Sequence, residues 1–243
     1  MMSLSAFLPR RRAAAALAAG LLLAVGGCRT ETVKPEPGEA GYYPLAVGAY
    51  WVYEVEVARW ANNVPTVTRS QRRERVVESY QDATGQLTYR LVRSQRPTAA
   101  DAWQDDSVLT VTVLPTGVAV SRNNRRILEL VYPVKEGAEW NKNAYNDRDT
   151  IVAKNRYYRA VGQPATVAGQ TYPRTVTTVD PSPDTLFYRR SQRQIFAQGV
   201  GPIYREKRVL NYCQGIEVPA CAVGTNYVIV GEELRERLIE KGQ

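Results

Sequence analysis

The chain has 243 residues, with 32 Lys and Arg against 24 Asp and Glu, a formal net charge of +8, three Cys and no His. The absence of His excludes Ser-His-Asp and Cys-His catalysis and imidazole metal ligands, and three Cys are too few for a four-cysteine zinc site. A content of 44% hydrophobic and 23% charged residues is typical of a globular domain. The aromatic residues are unevenly used, with 15 Tyr and 4 Trp against only 3 Phe.

Residues 1–27 are predicted to be a lipoprotein signal peptide. Three Arg at residues 10–12 precede an apolar stretch at 13–25, and Gly26-Gly27 leads to Cys28. An apolar stretch of about 13 residues is too short to span a bilayer, which needs about 20, and the order basic, apolar, small is typical of a secretory signal. Residues 25–28 resemble the lipobox of bacterial lipoproteins, which implies cleavage after Gly27 and a diacylglyceryl group on the Cys28 thiol. An ordinary secretory signal or a twin-arginine signal is the alternative.

Residues 28–41 are predicted to be a lipid-anchored tether, because they are rich in Pro, Gly and charge and have no apolar periodicity. In many such lipoproteins an Asp directly after the cysteine implies retention in the inner membrane. Arg29 stands there instead, which favours the outer membrane, with the domain facing the periplasm. Loss of residues 1–27 leaves 29 cationic and 24 acidic residues, a net charge of +5. Residues 42–243 suffice for one core, so we predict a single domain.

From Tyr50 onward the apolar residues recur with a period of two, which predicts β-strands. The predicted strands are residues 51–57, 64–77, 86–92, 108–114, 118–120, 126–132, 150–158, 165–167, 174–179, 186–195, 203–212 and 226–230. Many short strands without intervening helices predict a mainly β fold with a strongly curved antiparallel sheet or half-barrel; a β-sandwich is the alternative. Only the tail is predicted to be helical, because Leu234 and Leu238 are four residues apart, acidic residues lead and Gly242 follows.

Three short motifs resemble those of a group of bacterial envelope lipoproteins of mostly unknown function. Residues 43–53, Y-P-L-A-V-G-A-Y-W-V-Y, are similar to their opening Y-P-L-x-x-G-x-x-W-x-Y, and residues 133–140 repeat part of it as P-V-K-E-G-A-E-W. Residues 165–172 are similar to T-V-x-A-G-x-[FY], with one extra residue, and residues 196–203 match [WFY]-[AS]-x-G-V-G-x-[IV]. The resemblance implies a curved sheet of the lipoprotein-carrier (LolA/LolB-like) type, with apolar matter on its concave face. The same motifs are also interpretable as structural turns.

The Cys pair, the acidic loop residues and a repeated Arg motif are the other candidates for a functional site, and we interpret them mainly as structural. Cys213 and Cys221 enclose seven residues, and in an exported protein two nearby Cys are expected to form a disulfide. Acidic residues at 101, 105, 106, 147 and 149 lack the spacing of a calcium loop, so we interpret them as solvated loop charges. Arg-Ser-Gln-Arg occurs at 69–72, 93–96 and 190–193. In a strand the two Arg of each copy lie on opposite faces, which argues against a basic stripe; contact with anionic lipid headgroups is the functional alternative.

Aromatic residues are spread over many of the predicted strands. Because Tyr has an apolar body and a polar tip, a concave sheet face lined with Tyr and Trp is predicted to bind an acyl chain or another apolar ligand. The candidate ligand-binding residues are Trp51, Tyr53, Tyr89, Trp140, Tyr158 and Tyr188. The other interpretation is a core that happens to use Tyr.

Together these features predict a lipid-anchored envelope protein that binds a lipid or acyl chain and is not an enzyme, with no catalytic residues, metal or cofactor. Its expected partners are the membrane, through the N-terminal lipid, and a lipid or an envelope protein; nucleic acid is not expected. The alternative function is a structural or accessory subunit of an envelope complex. A hydrolase that uses carboxylates ranks third.

Overall fold

The computed structural model describes residues 39–146, 150–181, 185–215 and 221–243. A 3-10 helix at Glu39–Tyr42 is followed by the strands β1 (Tyr50–Ala61), β2 (Val64–Gln81), β3 (Leu87–Arg96), β4 (Gln104–Leu114), β5 (Gly117–Arg122), β6 (Arg125–Val131), β7 (Glu139–Asn141), β8 (Asn155–Val167), β9 (Gln170–Asp180), β10 (Tyr188–Ala197), β11 (Gly201–Tyr212) and β12 (Val228–Gly242). No helix within these residues is long and apolar enough to cross a bilayer. The predicted signal peptide, Cys28, most of the tether, Asp147 and Asp149 lie outside the described residues.

All twelve strands of the described chain belong to one antiparallel sheet in the order β6-β5-β4-β3-β2-β1-β12-β11-β10-β9-β8-β7. The sheet is therefore two consecutive six-stranded meanders, joined by the pairing of β1 with β12. Its edges, β6 and β7, also approach each other, because the Leu128 amide donates to the Lys142 carbonyl (2.9 Å) and Asn146 bonds the backbone of Arg126. The predicted strongly curved antiparallel half-barrel is confirmed.

The predicted C-terminal helix is wrong, because residues 228–242 form strand β12 between β1 and β11. Leu234 and Leu238 are also two strand steps on either side of Glu236, so they share a face in a strand as well. Arg235, on the other face, contacts Glu56 of β1 and Glu206 of β11. Pairing with two neighbouring strands outweighs the helical propensity of Glu, Arg and Leu.

Two-residue turns close several of the hairpins. Asn62 and Asn63 between β1 and β2, and Asn123 and Asn124 between β5 and β6, all have positive φ angles. Asn is among the few residues other than Gly that adopt this conformation readily, and consecutive positive φ values are those of the type I′ turn that matches the twist of a hairpin. The Asn-Asn pairs therefore set the register of the strands that flank them.

The opening motif is a turn that delivers Trp51 onto the start of β1. The Gly48 amide donates to the Val76 carbonyl, and the Val76 amide donates to the Ala49 carbonyl, both at 2.9 Å. The Trp51 indole donates to the Val200 carbonyl at 2.7 Å. A Cβ at Gly201 would lie 3.2 Å from that indole nitrogen. The opening motif, which contains Trp51, and the G-V-G motif, which contains Val200 and Gly201, therefore pack against each other.

The partial repeat of that motif makes an equivalent turn at the start of β7. The Gly137 amide donates to the Tyr158 carbonyl and the Tyr158 amide to the Ala138 carbonyl, both at 3.1 Å. The Trp140 indole donates to the Leu128 carbonyl at 2.9 Å. Each six-stranded meander therefore begins with the same backbone contact and a Trp that bonds a backbone carbonyl.

Cys213, after β11, and Cys221 are joined by a disulfide, as expected, with their Cα atoms 6.0 Å apart. The disulfide connects the chain that leaves β11 to the chain that approaches β12.

The turn between β8 and β9 contains an Ala with a positive φ angle, so a substitution there is expected to change the free energy of unfolding. Ala168 has a φ of 49° and Gly169 a φ of 81°. An L-residue in this conformation is strained by about 1–2 kcal/mol, against an entropic cost of Gly of about 0.5–1 kcal/mol. We expect Ala168→Gly to raise the free energy of unfolding by about 0.5–1 kcal/mol, measured by urea denaturation.

The neighbouring position supplies the control. A Cβ at Gly169 would meet no atom within 4 Å, so Gly169→Ala introduces backbone strain without a clash and is expected to destabilise. Equal effects of the two substitutions would contradict the assignment of strain to Ala168.

Candidate functional site

The concave face of the sheet changes from apolar to charged along its strands. In β2 and β3, Val76 lies opposite Leu91, and two residues further on Glu74 lies opposite Arg93. Side chains two residues apart in a strand share a face. The concave face therefore carries an apolar core at one end, then a layer of ion pairs.

The apolar end is an aromatic core. Trp51, Tyr53, Tyr158 and Phe196 are all at most 1% exposed and pack in one cluster with aliphatic side chains. The Tyr53 hydroxyl donates to the Pro202 carbonyl at 2.9 Å. These side chains fill the interior at this end.

Arg205 of β11 links the two meanders above the aromatic core. It makes two hydrogen bonds to Glu74 of β2, at 3.0 and 2.8 Å, and one to Glu236 of β12 at 3.0 Å. Its guanidinium carbon lies 4.9 Å from the centroid of the Tyr53 ring. Arg93 also bonds Glu74, and Arg72 bonds Glu236. This set, here called the Glu74 network, holds two buried carboxylates.

The charges of the Glu74 network set its pKa values. Burial alone would raise the pKa of Glu74, but Arg205 and Arg93 outweigh it and hold that pKa well below its usual range. Burial also opposes the charge of Arg205, but Glu74 holds the pKa of Arg205 well above its usual range. Both carboxylates of the network are therefore ionised at neutral pH.

A second network joins β8 to the β9 end and to β6. Arg156, 1% exposed, donates to Asp180 at 2.6 Å and pairs with Glu129. Lys142 pairs with the other oxygen of Asp180, and Gln194 donates to Glu129 at 2.7 Å. Burial lowers the pKa of Lys142, and the neighbouring Arg156 lowers it further.

A cleft of about 490 Å³ opens on the concave face between the two networks. Its apolar wall is formed by Tyr43, Leu109, Val120 and Ile127. Among the described residues two carboxylates line it, Glu74 and Glu129, and both already belong to the networks. The described lining also contains seven cationic side chains, namely Arg122, Arg125, Lys142, Lys154, Arg156, Arg205 and Lys207.

Four of those cations carry the surplus charge. Among the described residues, Arg125, Lys154 and Lys207 have no carboxylate within ion-pair distance, and Arg122 reaches Glu74 only at 3.8 Å. Burial lowers the pKa of Arg122, and the positive charge of Arg93 lowers it further. The cleft therefore attracts anions.

The six aromatic residues predicted to bind a ligand do not line this cleft. Trp51, Tyr53 and Tyr158 are core residues, and Tyr89 and Trp140 pack against the core. The sixth, Tyr188, is 38% exposed and lies beside Arg190. The aromatic side chains thus build the interior, and the accessible part of the concave face is charged. That these six residues bind a ligand stays a prediction.

Some of the charged residues at the cleft, Glu74, Arg205 and Lys207, lie in stretches that are unusual in the sequence. Residues 68–75 of β2 contain no apolar side chain, and neither do residues 205–208 of β11, although both stretches lie inside predicted strands. A strand with no apolar residue on either face indicates a polar interior or a strand exposed on both sides. Only the register shows which of these applies.

The first two Arg-Ser-Gln-Arg copies place their Arg side chains on both faces, as their spacing predicts. In the first copy Arg69 pairs with the partly exposed Glu56 at 3.1 Å, whereas Arg72 pairs with the buried Glu236. In the second copy Arg93 bonds Glu74, whereas Arg96 stacks on Trp103 at 4.2 Å. The copies thus supply part of the Glu74 network and form no basic stripe.

The described residues contain no group of three or more His, Cys, Asp and Glu side chains placed to hold a metal ion. A scan against protein-family models finds no match, and a search of curated proteins finds no similar sequence. Among solved structures, the chain is similar to a Bacteroides fragilis protein described as exported and as having a YmcC-like fold, with 9% identity and a TM-score of 0.43, over 83% of this chain and 98% of that chain. None of these comparisons assigns a residue to the cleft.

Removal of one charge from the Glu74 network is expected to lower the free energy of unfolding strongly. Glu74→Gln leaves the buried Arg93 without its carboxylate and Arg205 with Glu236 alone, and breaking a buried ion pair in this way costs about 3–5 kcal/mol. The control is Glu78→Gln in the same strand, because the Glu78–Arg90 pair is 47% exposed on both sides and is worth about 0–1 kcal/mol. Chemical denaturation measures both, and similar losses would contradict the role of the network.

The same carboxylates predict the pH dependence of stability. The pKa values of Glu74, Glu236 and Asp180 are lowered in the folded chain, despite burial, by the guanidinium groups of Arg205 and Arg156. Their contribution is therefore present above the unfolded pKa values, 4.5 for Glu and 3.8 for Asp, and is lost as the pH falls through the folded values.

Because the chain has no His, we expect the melting temperature to stay level between about pH 8 and 6 and to fall below about pH 4.5. Thermal unfolding followed by near-ultraviolet circular dichroism measures this. A step between about pH 8 and 6 would contradict the assignment.

Proposed function

We propose that this protein is a lipid-anchored component of the cell envelope that binds a small anionic molecule in the cleft. One observation carries the proposal: an open cavity on the concave face with seven cationic side chains and two carboxylates, both carboxylates already engaged. Arg125, Lys154 and Lys207 are exposed, so water solvates them, but cations gathered around one concave volume give it a positive potential and raise the local concentration of anions. A bound anion would reduce the mutual repulsion of these cations.

The size and lining of the cleft refine the predicted apolar ligand. A cavity of about 490 Å³ falls in the range that holds a drug-sized molecule. Because Leu109, Val120 and Ile127 form one wall, a ligand with a small apolar part beside its anionic group fits best. A carrier of this kind needs no catalytic residue, and we propose that the protein is not an enzyme.

The proposed location follows from the signal and lipobox at residues 1–28. Two or three acyl chains, at about 0.8 kcal/mol per buried CH₂, hold a protein firmly on a membrane. With Arg29 after Cys28, we propose attachment to the outer membrane with the domain in the periplasm. Among the described residues the chain enters the sheet beside Gly199, whose amide donates to the Gly41 carbonyl. That is the aromatic end, away from Lys207.

A second candidate function is an accessory subunit of an envelope complex. At the charged end of the sheet, a row of paired residues runs from Tyr188 through Val230 to Val64. Val64 is 66% exposed, and Leu186, two residues before Tyr188, is 62% exposed. Exposed apolar side chains grouped in this way are typical of protein contact surfaces.

Native mass spectrometry of the mature chain, purified from its own host in detergent, tests the anchor and the ligand together. We expect a mass that includes a lipid on Cys28, absent from Cys28→Ala, and a bound acidic molecule. The double substitution Arg125→Gln/Lys207→Gln removes two surplus cations and is expected to abolish the adduct.

The control for the ligand is Arg126→Gln. Arg126 follows Arg125 in β6, does not line the cleft and stacks on Tyr145 at 5.0 Å, so its loss is expected to leave the adduct in place. A neutral lipid that the double variant retains would refute anionic ligand binding. Failure of small carboxylates and phosphates added to the protein to bind would refute it as well.

A further inference from the structure

A two-residue turn forces two of the surplus cations together at the mouth of the cleft. Arg122 ends β5, Arg125 begins β6, and the two residues pair directly across the Asn123-Asn124 turn. Like charges directly opposite each other on neighbouring strands are destabilising. The sequence places an arginine at both positions and no carboxylate of the described chain between them.

The positive charge continues across the cleft onto the other meander. Arg122 and Arg205 both approach Glu74, at 3.8 and 2.8 Å, so the two guanidinium groups share one carboxylate. Lys207 lies two residues beyond Arg205 on the same face of β11, opposite Gln192 of β10. Cations from both six-stranded meanders therefore face one volume.

The amount and kind of charge select among anions. A single carboxylate would neutralise one of the four surplus cations, Arg122, Arg125, Lys154 and Lys207, and leave the others uncompensated. A phosphate monoester carries about −1.5 to −2 charges at pH 7 and three acceptor oxygens. Guanidinium groups match the geometry of phosphate oxygens and bind them in pairs.

Resting on the proposed function, we infer that the ligand is a phosphate monoester with a small apolar group. Its phosphate lies among Arg122, Arg125 and Lys207, and its organic part packs on Val120 and Ile127. Soluble phosphate esters and the phosphate of a phosphatidic acid headgroup share this chemistry. A whole two-chain lipid exceeds the cleft, so in the second case only the headgroup enters.

Isothermal titration calorimetry of the mature chain in detergent tests the inference with phenyl phosphate, inorganic phosphate and phenylacetate as probes. We expect phenyl phosphate to bind more tightly than inorganic phosphate, which lacks the apolar part, and more tightly than phenylacetate, which lacks the second charge. Arg125→Gln is expected to weaken phenyl phosphate at least tenfold. Lys207→Gln is a second variant, and Arg126→Gln is expected to have no effect.

The pH dependence gives an independent readout. The second pKa of a phosphate monoester is about 6, and the chain has no His that titrates in this range. Binding of phenyl phosphate is therefore expected to weaken between pH 7 and pH 5, whereas binding of phenylacetate stays constant.

Each outcome separates the two proposals. Phenylacetate binding as tightly as phenyl phosphate, or a phosphate affinity insensitive to Arg125→Gln, would overturn the phosphate inference and leave anionic binding standing. If phenyl phosphate, inorganic phosphate, phenylacetate and vesicles with phosphatidic acid all fail to bind, both proposals are overturned. Vesicles with phosphatidic acid, compared with pure phosphatidylcholine, identify the source: binding there without binding of phenyl phosphate assigns the phosphate to a lipid headgroup.

Discussion

The bonds from Arg205 to Glu74 and Glu236 are the interaction on which the interior depends. Arg205 belongs to the second meander and Glu74 to the first, so this contact crosses the concave face and fixes the two meanders to each other. It also stacks on Tyr53, so the same guanidinium group covers the aromatic core. Below it the interior is packed and apolar; above it the interior is charged and open.

A layer of buried ion pairs is not the most stabilising way to fill the interior of a curved sheet. Well-packed hydrophobic residues in place of a buried ion pair often leave stability equal or greater, because two charges must lose their water. Placing charges here has another consequence: Glu74 and Glu129 satisfy the deepest cations, while Arg122, Arg125, Lys154 and Lys207 remain to give the cleft its positive potential. The two networks line the base of the cleft with paired charges.

The same architecture explains why two of the buried aromatic residues are Tyr and not Phe. Where strands bulge or where the two sheet edges meet, backbone carbonyls lack a ladder partner, and buried unpaired carbonyls are costly. Tyr53 bonds the Pro202 carbonyl, and Tyr158 bonds both backbone groups of Val131. Trp51 and Trp140 do the same through their indoles. Phe could fill the volume but could not make these bonds.

The sequence by itself determined most of the strands and turns, because period-two patterning and Asn-Asn or Ala-Gly turns are local properties. It did not predict the three-residue strand β7, and it divided β8 into two strands. It also determined the pairing of Cys213 with Cys221. Only the tertiary structure decided that residues 228–242 form a strand, because that outcome depends on pairing with β1 and β11 on either side. It likewise decided which face of each strand is enclosed. Lys207 is distant in sequence from Arg122 and Arg125, and only the curvature and register of the sheet bring their charges to one cleft.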